Sequence, residues 1–105
     1  MSDFETNVIK WAEERGIIDG STTFKQLTKL SEEVIELAMG LSRQDRAEIA
    51  DAIGDCSVVL AILAKQCGLS LTYCQQLAWE EIKDRKGKMI NGVFVKESPN
   101  ETSHS

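Results

Sequence analysis

The sequence predicts an all-α protein: a four-helix bundle built round a central antiparallel helical hairpin, oligomeric, with a short C-terminal strand or hairpin. Three observations lead there. Apolar residues recur every three or four positions through most of the chain. The link between the second and third periodic segments is only "GLSRQD", so short that the helices it joins are forced to be antiparallel neighbours. The third segment contains "SVVLAILA", apolar around nearly its whole circumference, and such a helix has to be covered on several sides. A chain of 105 residues supplies little cover by itself, so this helix is expected to lie centrally and to pack partly against another subunit.

Each element has its own signals. In the first helix, over about 3–15, Phe4, Val8, Trp11 and Ala12 share one face and Gly16 is a natural stop. "GIIDGS" makes a turn. The second helix, about 24–40, opens on Thr23 and Gln26 at capping-box spacing. Its apolar stripe is Phe24, Leu27, Leu30, Val34, Leu37 and Leu41. Gly40 suits its end, and Ser42 with Asp45 suits the start of the third helix, about 43–66. Beyond Gly68, the residues Leu71, Cys74, Leu77 and Ala78 carry a fourth helix to about Lys86. Asn91-Gly92 followed by "VFV" then signals a short strand or hairpin. Residues 1–97 are read as one domain, and the polar 98–105 as a disordered tail.

Composition narrows the function. Twelve basic residues against seventeen acidic ones argue against a general nucleic-acid or anionic-membrane binder and favour a cationic partner. Cys56, Cys67 and Cys74 lack CxxC spacing and read as ordinary thiols of a reducing compartment. The acidic N-terminus "MSDFETNVIKW" has no leader character, and the longest apolar run is too short for a bilayer, which leads to an expectation of a cytoplasmic protein.

The acidic residues carry the chemistry. "KLSEEVIELAMG" crowds Glu32, Glu33 and Glu36 on the second helix, where like charges repel. At about 100° per residue, Glu33 borders the apolar stripe, with Glu36 and Glu32 farther round. On the third helix Glu48, Asp51 and Asp55 form a second acidic stripe beside the apolar face. Two such stripes across one hairpin repel or take up protons unless cations neutralise them. Oxygen ligands without His or Cys suit Mg²⁺ or Mn²⁺ rather than zinc or a di-iron centre. Taken alone, Glu32 reads more readily as a solvated surface charge; it is the two stripes together, on adjacent helices at the edge of the core, that point to a site. Residues 83–96 reverse the sign: Lys83, Arg85, Lys86, Lys88 and Lys96 stand against one acid, Asp84. Such a run satisfies a helix C-terminus, and it also suits anions. Carboxylates for a metal and cations for oxygens together meet the needs of a polyphosphate.

"KLSEEVIEL" followed by "EIADAIGD" resembles the EExxE and ExxD signature of MazG-type, all-α nucleoside triphosphate pyrophosphohydrolases. The likeness runs over roughly residues 8–90, and "EIKDRKGKMINGVFVKE" is similar to the ending of small MazG-like proteins, often phage-encoded. The resemblance implies Mg²⁺-dependent cleavage of a (d)NTP between the α and β phosphates, giving a (d)NMP and pyrophosphate. It places metal ligands on Glu33 and Glu36. The second motif stays open: "EIAD" offers Glu48 and Asp51, whereas alignment of the downstream segment offers Asp55, with Ala52 where the family has glutamate and Asp51 as its substitute. In phosphoryl-transfer terms Glu32 or Glu36 takes the proton of the attacking water, while Lys83, Arg85 and Lys86 hold phosphates. Trp11 is placed to stack on the base or to serve as core, and Lys29 to touch phosphate or to pair with Glu33. A homo-dimer or homo-tetramer is expected. Two alternatives remain: a dUTP-specific or phosphoribosyl-ATP pyrophosphohydrolase on the same scaffold, and a non-catalytic helical oligomer that binds a nucleotide or a protein regulator.

Overall fold

A computed structural model describes residues 1–97, so the expected tail at 98–105 lies outside the described residues. Five helices and a hairpin follow one another: α1 (Asp3–Glu14), α2 (Ile17–Gly20), α3 (Thr23–Arg43), α4 (Arg46–Gln66), α5 (Leu71–Ile82), β1 (Gly87–Ile90) and β2 (Val93–Lys96). The helical class is as expected, with one helix more than predicted. Gly16, at φ 70°, turns the chain out of α1 in the left-handed region that glycine tolerates, and the turn "IIDG" winds into α2. The half-buried Ile17 and Ile18 give that turn a reason to fold, since α2 packs on both α1 and α4.

The helix ends also differ in detail. Thr22 rather than Thr23 caps α3, its hydroxyl accepting from the Lys25 N–H at 3.1 Å, while the Gln26 amide donates to Ser21 Oγ at 3.0 Å. Gly40 does not end α3, which runs on to Arg43 and is closed by Gln44 at φ 55°. The glycine serves packing instead. A Cβ at Gly40 would stand 3.2 Å from Glu48 Cγ and from the Ile49 backbone nitrogen, so its absence lets α3 and α4 close on each other. Asp45 caps α4 as expected, accepting from the Glu48 N–H at 3.1 Å, and Ser42 lies within α3.

The described residues form two compact units, 1–74 and 75–97. In the first, α4 is the central helix, with α3 along its length and α1 and α2 also against it. Ile9, Ala12, Ala52, Val59, Ala61, Ile62 and Ala64 are its buried apolar residues. Four of these seven are alanines, which lets helix axes approach closely. In the second unit β1 and β2 pair antiparallel, Gly87 opposite Lys96 and Ile90 opposite Val93. Asn91 (φ 51°) and Gly92 (φ 80°) form the two-residue turn with positive φ at both positions that the sequence signalled.

Two expected core stripes face outward instead. On α3, Phe24 (78 % exposed), Leu27, Val34 and Leu41 are exposed, Leu30 and Leu37 half-buried, and Gln26, Glu33 and Gly40 buried. On α1, Phe4 and Trp11 are exposed and Val8 half-buried, while Glu5, Ile9 and Ala12 point inward. Periodicity identifies an apolar face without saying which partner covers it. The seam that α3 gives to α4 is the narrower one, set by the close approach at Gly40. Of the three thiols, all free, Cys56 and Cys74 are half-buried and Cys67 is exposed. Among the described residues no helix is long and apolar enough to cross a membrane.

Candidate active site

Gln26, Glu33 and Gly40 recur at seven-residue spacing and are the buried residues of α3. Glu33 is only 6 % exposed. Its Oε1 lies 3.4 Å from Lys29 Nζ one turn earlier, and its Oε2 is buried without a hydrogen-bond partner. A buried, unsatisfied carboxylate oxygen is costly in a folded protein and marks a place where something belongs. Lys29 also reaches Glu32 at 3.9 Å, so the intrahelical pairing anticipated for Lys29 is present.

The contact at Gly40 fixes the level of each acid along the hairpin. Gly40 abuts Glu48 and Ile49. In an antiparallel pair, moving about two turns back along α3 and two turns forward along α4 brings Glu33 level with Asp55 and Cys56. Glu36, exposed, then lies level with Ala52 and Ile53, between the exposed Asp51 and Asp55. Glu48 sits at the far end of the hairpin and is engaged by Arg43, whose Nη1 donates to its Oε1 at 3.2 Å and its Oε2 at 3.3 Å. No group of three His, Cys, Asp or Glu side chains converges for a metal among the described residues. The chemistry of the donors nevertheless fits a hard divalent cation: carboxylate oxygens, one of them buried and unpaired.

The cations belong to the second unit. Lys83 pairs with Glu80, and Arg85 Nη2 with Glu81 Oε1 at 3.1 Å. Arg85, Lys86 and Lys96 share a cavity of about 360 Å³ with Glu81, Asp84 and Glu97. The positive run is thus largely balanced by local acids, as a helix C-terminus requires. Trp11, 44 % exposed, carries the Arg15 guanidinium over its ring, 4.6 Å from the centroid, and lines a slot with Asn7, Val8 and Val58.

A family model described as phosphoribosyl-ATP pyrophosphohydrolase matches residues 10–86. The chain belongs to this family. The matched span contains α2, α3, α4 and α5 entire, and with them Glu32, Glu33, Glu36, Glu48, Asp51 and Asp55. Family membership makes this a pyrophosphohydrolase-type chain, and it does not single out the MazG branch. A curated relative, an uncharacterized 18.2 kDa protein in the rep-hol intergenic region of Haemophilus phage HP1 (strain HP1c1), is 48 % identical over 60 residues. That alignment takes in 57 % of this chain and 37 % of the phage protein, so the chain spans well under half of that relative's length. No solved structure matches.

One residue of consequence escaped the sequence reading. Glu5, 1 % exposed, receives the Leu71 N–H on Oε2, and on Oε1 the Thr72 N–H at 2.9 Å and the Thr72 hydroxyl at 2.6 Å. Its carboxylate thereby caps the start of α5 from a sequence distance of 66 residues. Burial alone pushes the acid up. The hydrogen bonds from the Thr72 hydroxyl and N–H and from the Leu71 N–H outweigh it and hold the group below the usual glutamate range. The signal available in the sequence was a glutamate in register with Ile9 and Ala12, on the face that is buried.

Proposed function

We propose that this chain is a Mg²⁺-dependent nucleoside triphosphate pyrophosphohydrolase of MazG type, cleaving a (d)NTP to a (d)NMP and pyrophosphate as a cytoplasmic homo-dimer or homo-tetramer. The observation that carries the reading is the buried, unpaired oxygen of Glu33 on α3, the helix that packs along α4 with its Asp51 and Asp55. A metal would be held by Glu33, Glu36, Asp51 and Asp55, with Mn²⁺ as a substitute for Mg²⁺. Glu48, committed to Arg43, is the weakest member of the predicted ligand set. When bound, the cation supplies charge neutralisation of the phosphate oxygens and a lowered pKa for coordinated water.

The chain's own residues do the rest. Glu36, which has no ion-pair partner among the described residues, accepts the proton of the attacking water, or Glu32 does so from the turn before. Lys29 stays on Glu33 and Glu32, holding two carboxylates in place, and from there touches phosphate. Lys83, Arg85 and Lys86 are the cations of the second unit whose chemistry suits phosphate oxygens, Lys83 and Arg85 standing at present on Glu80 and Glu81. Trp11 stacks on the base.

The family description supports a second substrate, phosphoribosyl-ATP, whose scissile bond is the same α–β phosphoanhydride. The deciding assay is pyrophosphate release from ribo- and deoxyribonucleoside triphosphates and phosphoribosyl-ATP, with Mg²⁺ and with EDTA, on wild type beside Glu36→Gln. Metal-dependent release lost in the variant supports the proposal and names the base. Absence of release from every substrate leaves a non-catalytic oligomer that binds a nucleotide or a protein regulator.

A further inference from the structure

We infer that the polar cleft where α2 and the start of α3 meet the last turn of α4 binds a free α-amino acid, its ammonium held by Asp19 and the Gln66 amide oxygen and its carboxylate by Lys65 and the Thr23 hydroxyl. The cleft encloses about 440 Å³ and is lined by Ile18, Asp19, Ser21, Thr23, Lys65 and Gln66. Two of its features have no explanation within the chain. Gln66 donates from Nε2 to the Ile18 carbonyl at 3.3 Å, while its Oε1 is buried without a hydrogen-bond partner among the described residues. A buried amide oxygen in that condition calls for a donor. Asp19 and Lys65 line the same cleft with opposite charges, yet neither forms an ion pair with the other or with any described residue. A ligand that bears both signs answers all three groups.

The division of donors and acceptors decides which end of the ligand goes where. An ammonium only donates, and the Asp19 carboxylate and Gln66 Oε1 only accept. A carboxylate only accepts, and it suits the Lys65 ammonium together with the Thr23 hydroxyl, which makes no hydrogen bond among the described residues. Ser21 is already committed, its Oγ receiving the Gln26 amide at 3.0 Å and donating to the Thr22 carbonyl at 3.5 Å, so it serves as a wall. Half-buried Ile18 offers apolar surface to the ligand's side chain. The helix ends agree in sign, because Thr23 opens α3 at its partially positive end and Gln66 closes α4 at its partially negative end. The acid stripes are elsewhere. Thr23 precedes Glu33 by ten residues and Lys65 follows Asp55 by ten, about 15 Å along each helix.

The test melts the full chain with each of the common L-α-amino acids at about 10 mM, a concentration that fills most of a site of millimolar Kd. Beside them stand the matching amines, which lack the carboxylate, and the N-acetyl derivatives, which lack the ammonium. At least one free amino acid is expected to raise Tm by about 3 °C or more, and its amine and N-acetyl forms to leave Tm unchanged. Calorimetric titration of that amino acid into Asp19→Asn and into Lys65→Met, both at exposed positions, is expected to show binding weakened by about tenfold or more while unliganded melting stays as in wild type. No response to any free amino acid overturns the site. A response that the amine alone reproduces makes the cleft a cation site, and one that the N-acetyl form or inorganic phosphate reproduces makes it an anion site; either overturns the assignment. A response kept at full strength in both variants places the ligand elsewhere and overturns it as well. The site stands or falls independently of pyrophosphate release.

Discussion

Two buried glutamates sit in unit 1 under opposite conditions. Glu5 is fully engaged, receiving three hydrogen bonds, whereas Glu33 has one oxygen on Lys29 and the other on nothing. Neutralising each therefore has a different consequence. Glu5→Gln keeps the shape but replaces charge-assisted bonds with weaker ones, and is expected to lower stability by about 2 kcal/mol at pH 7 in a denaturant titration. The sign with pH follows from its depressed pKa. The unfolded chain binds the Glu5 proton first, so the contribution is complete above the ordinary glutamate value near 4.5 and fades as pH falls through the lower folded value. Melting curves from pH 7 to pH 3 should show a steeper loss for wild type than for Glu5→Gln. Glu33→Gln, by contrast, removes a charge that lacks a full set of partners, so metal-free melting should hold or rise. Its expected loss is the stabilisation by Mg²⁺, about 2.7 kcal/mol in wild type at a hundredfold excess over Kd. A Glu33→Gln protein that Mg²⁺ still stabilises to the wild-type extent rules this acid out as a ligand.

At the level of elements, the helical hairpin turns on Gly40. Helix propensity alone recommends replacing it, since alanine is about 1 kcal/mol better within a helix. Contacts of 3.2 Å to Glu48 and to the Ile49 backbone argue the other way, because backbone cannot move aside without parting the helices. Gly40→Leu is expected to cost about 2 kcal/mol or more and to lower turnover, through the level of Glu33 against Asp55. Gly54→Ala, with nothing within 4 Å of its Cβ, should stabilise by about 1 kcal/mol and serves as the control by thermal melting. The four longer helices, their order and the Asn91-Gly92 hairpin were legible in the sequence because periodicity and turn chemistry are local, whereas the four-residue α2 was read as a turn. The role of Gly40 was not. A glycine near a helix end reads as a stop, and only the facing helix reveals it as a point of close approach. Glu48 was ambiguous for a similar reason: its bond to Arg43 depends on how the "GLSRQD" loop closes.

For the whole molecule, the exposed residues Phe24, Leu27, Val34 and Leu41 descend one side of α3 at steps of three, seven and seven, a spacing that suits a helix seam. Ile53 and Leu60 on α4 are exposed as well. Light scattering is expected to give a mass at least twice 11.7 kDa, and the double variant Val34→Glu, Leu41→Glu should dissociate it or lose solubility. A monomer of 11.7 kDa at micromolar concentration would refute the oligomer. The expectation of an oligomer rests on the all-round apolar "SVVLAILA", and the open apolar surface lies elsewhere. Most of that segment is covered within the chain, while the α3 stripe stays open.

The Glu5 cap also sets a schedule for biosynthesis. Leu71 and Thr72, which satisfy a carboxylate near the start of the chain, leave the ribosome long after it. Until they emerge, burying Glu5 against the other helices leaves its carboxylate without those three donors, so the seat of α1 is expected to be weaker in the shorter chain. A chain ending before Leu71 is expected to be cut by protease within α1 sooner than the full chain.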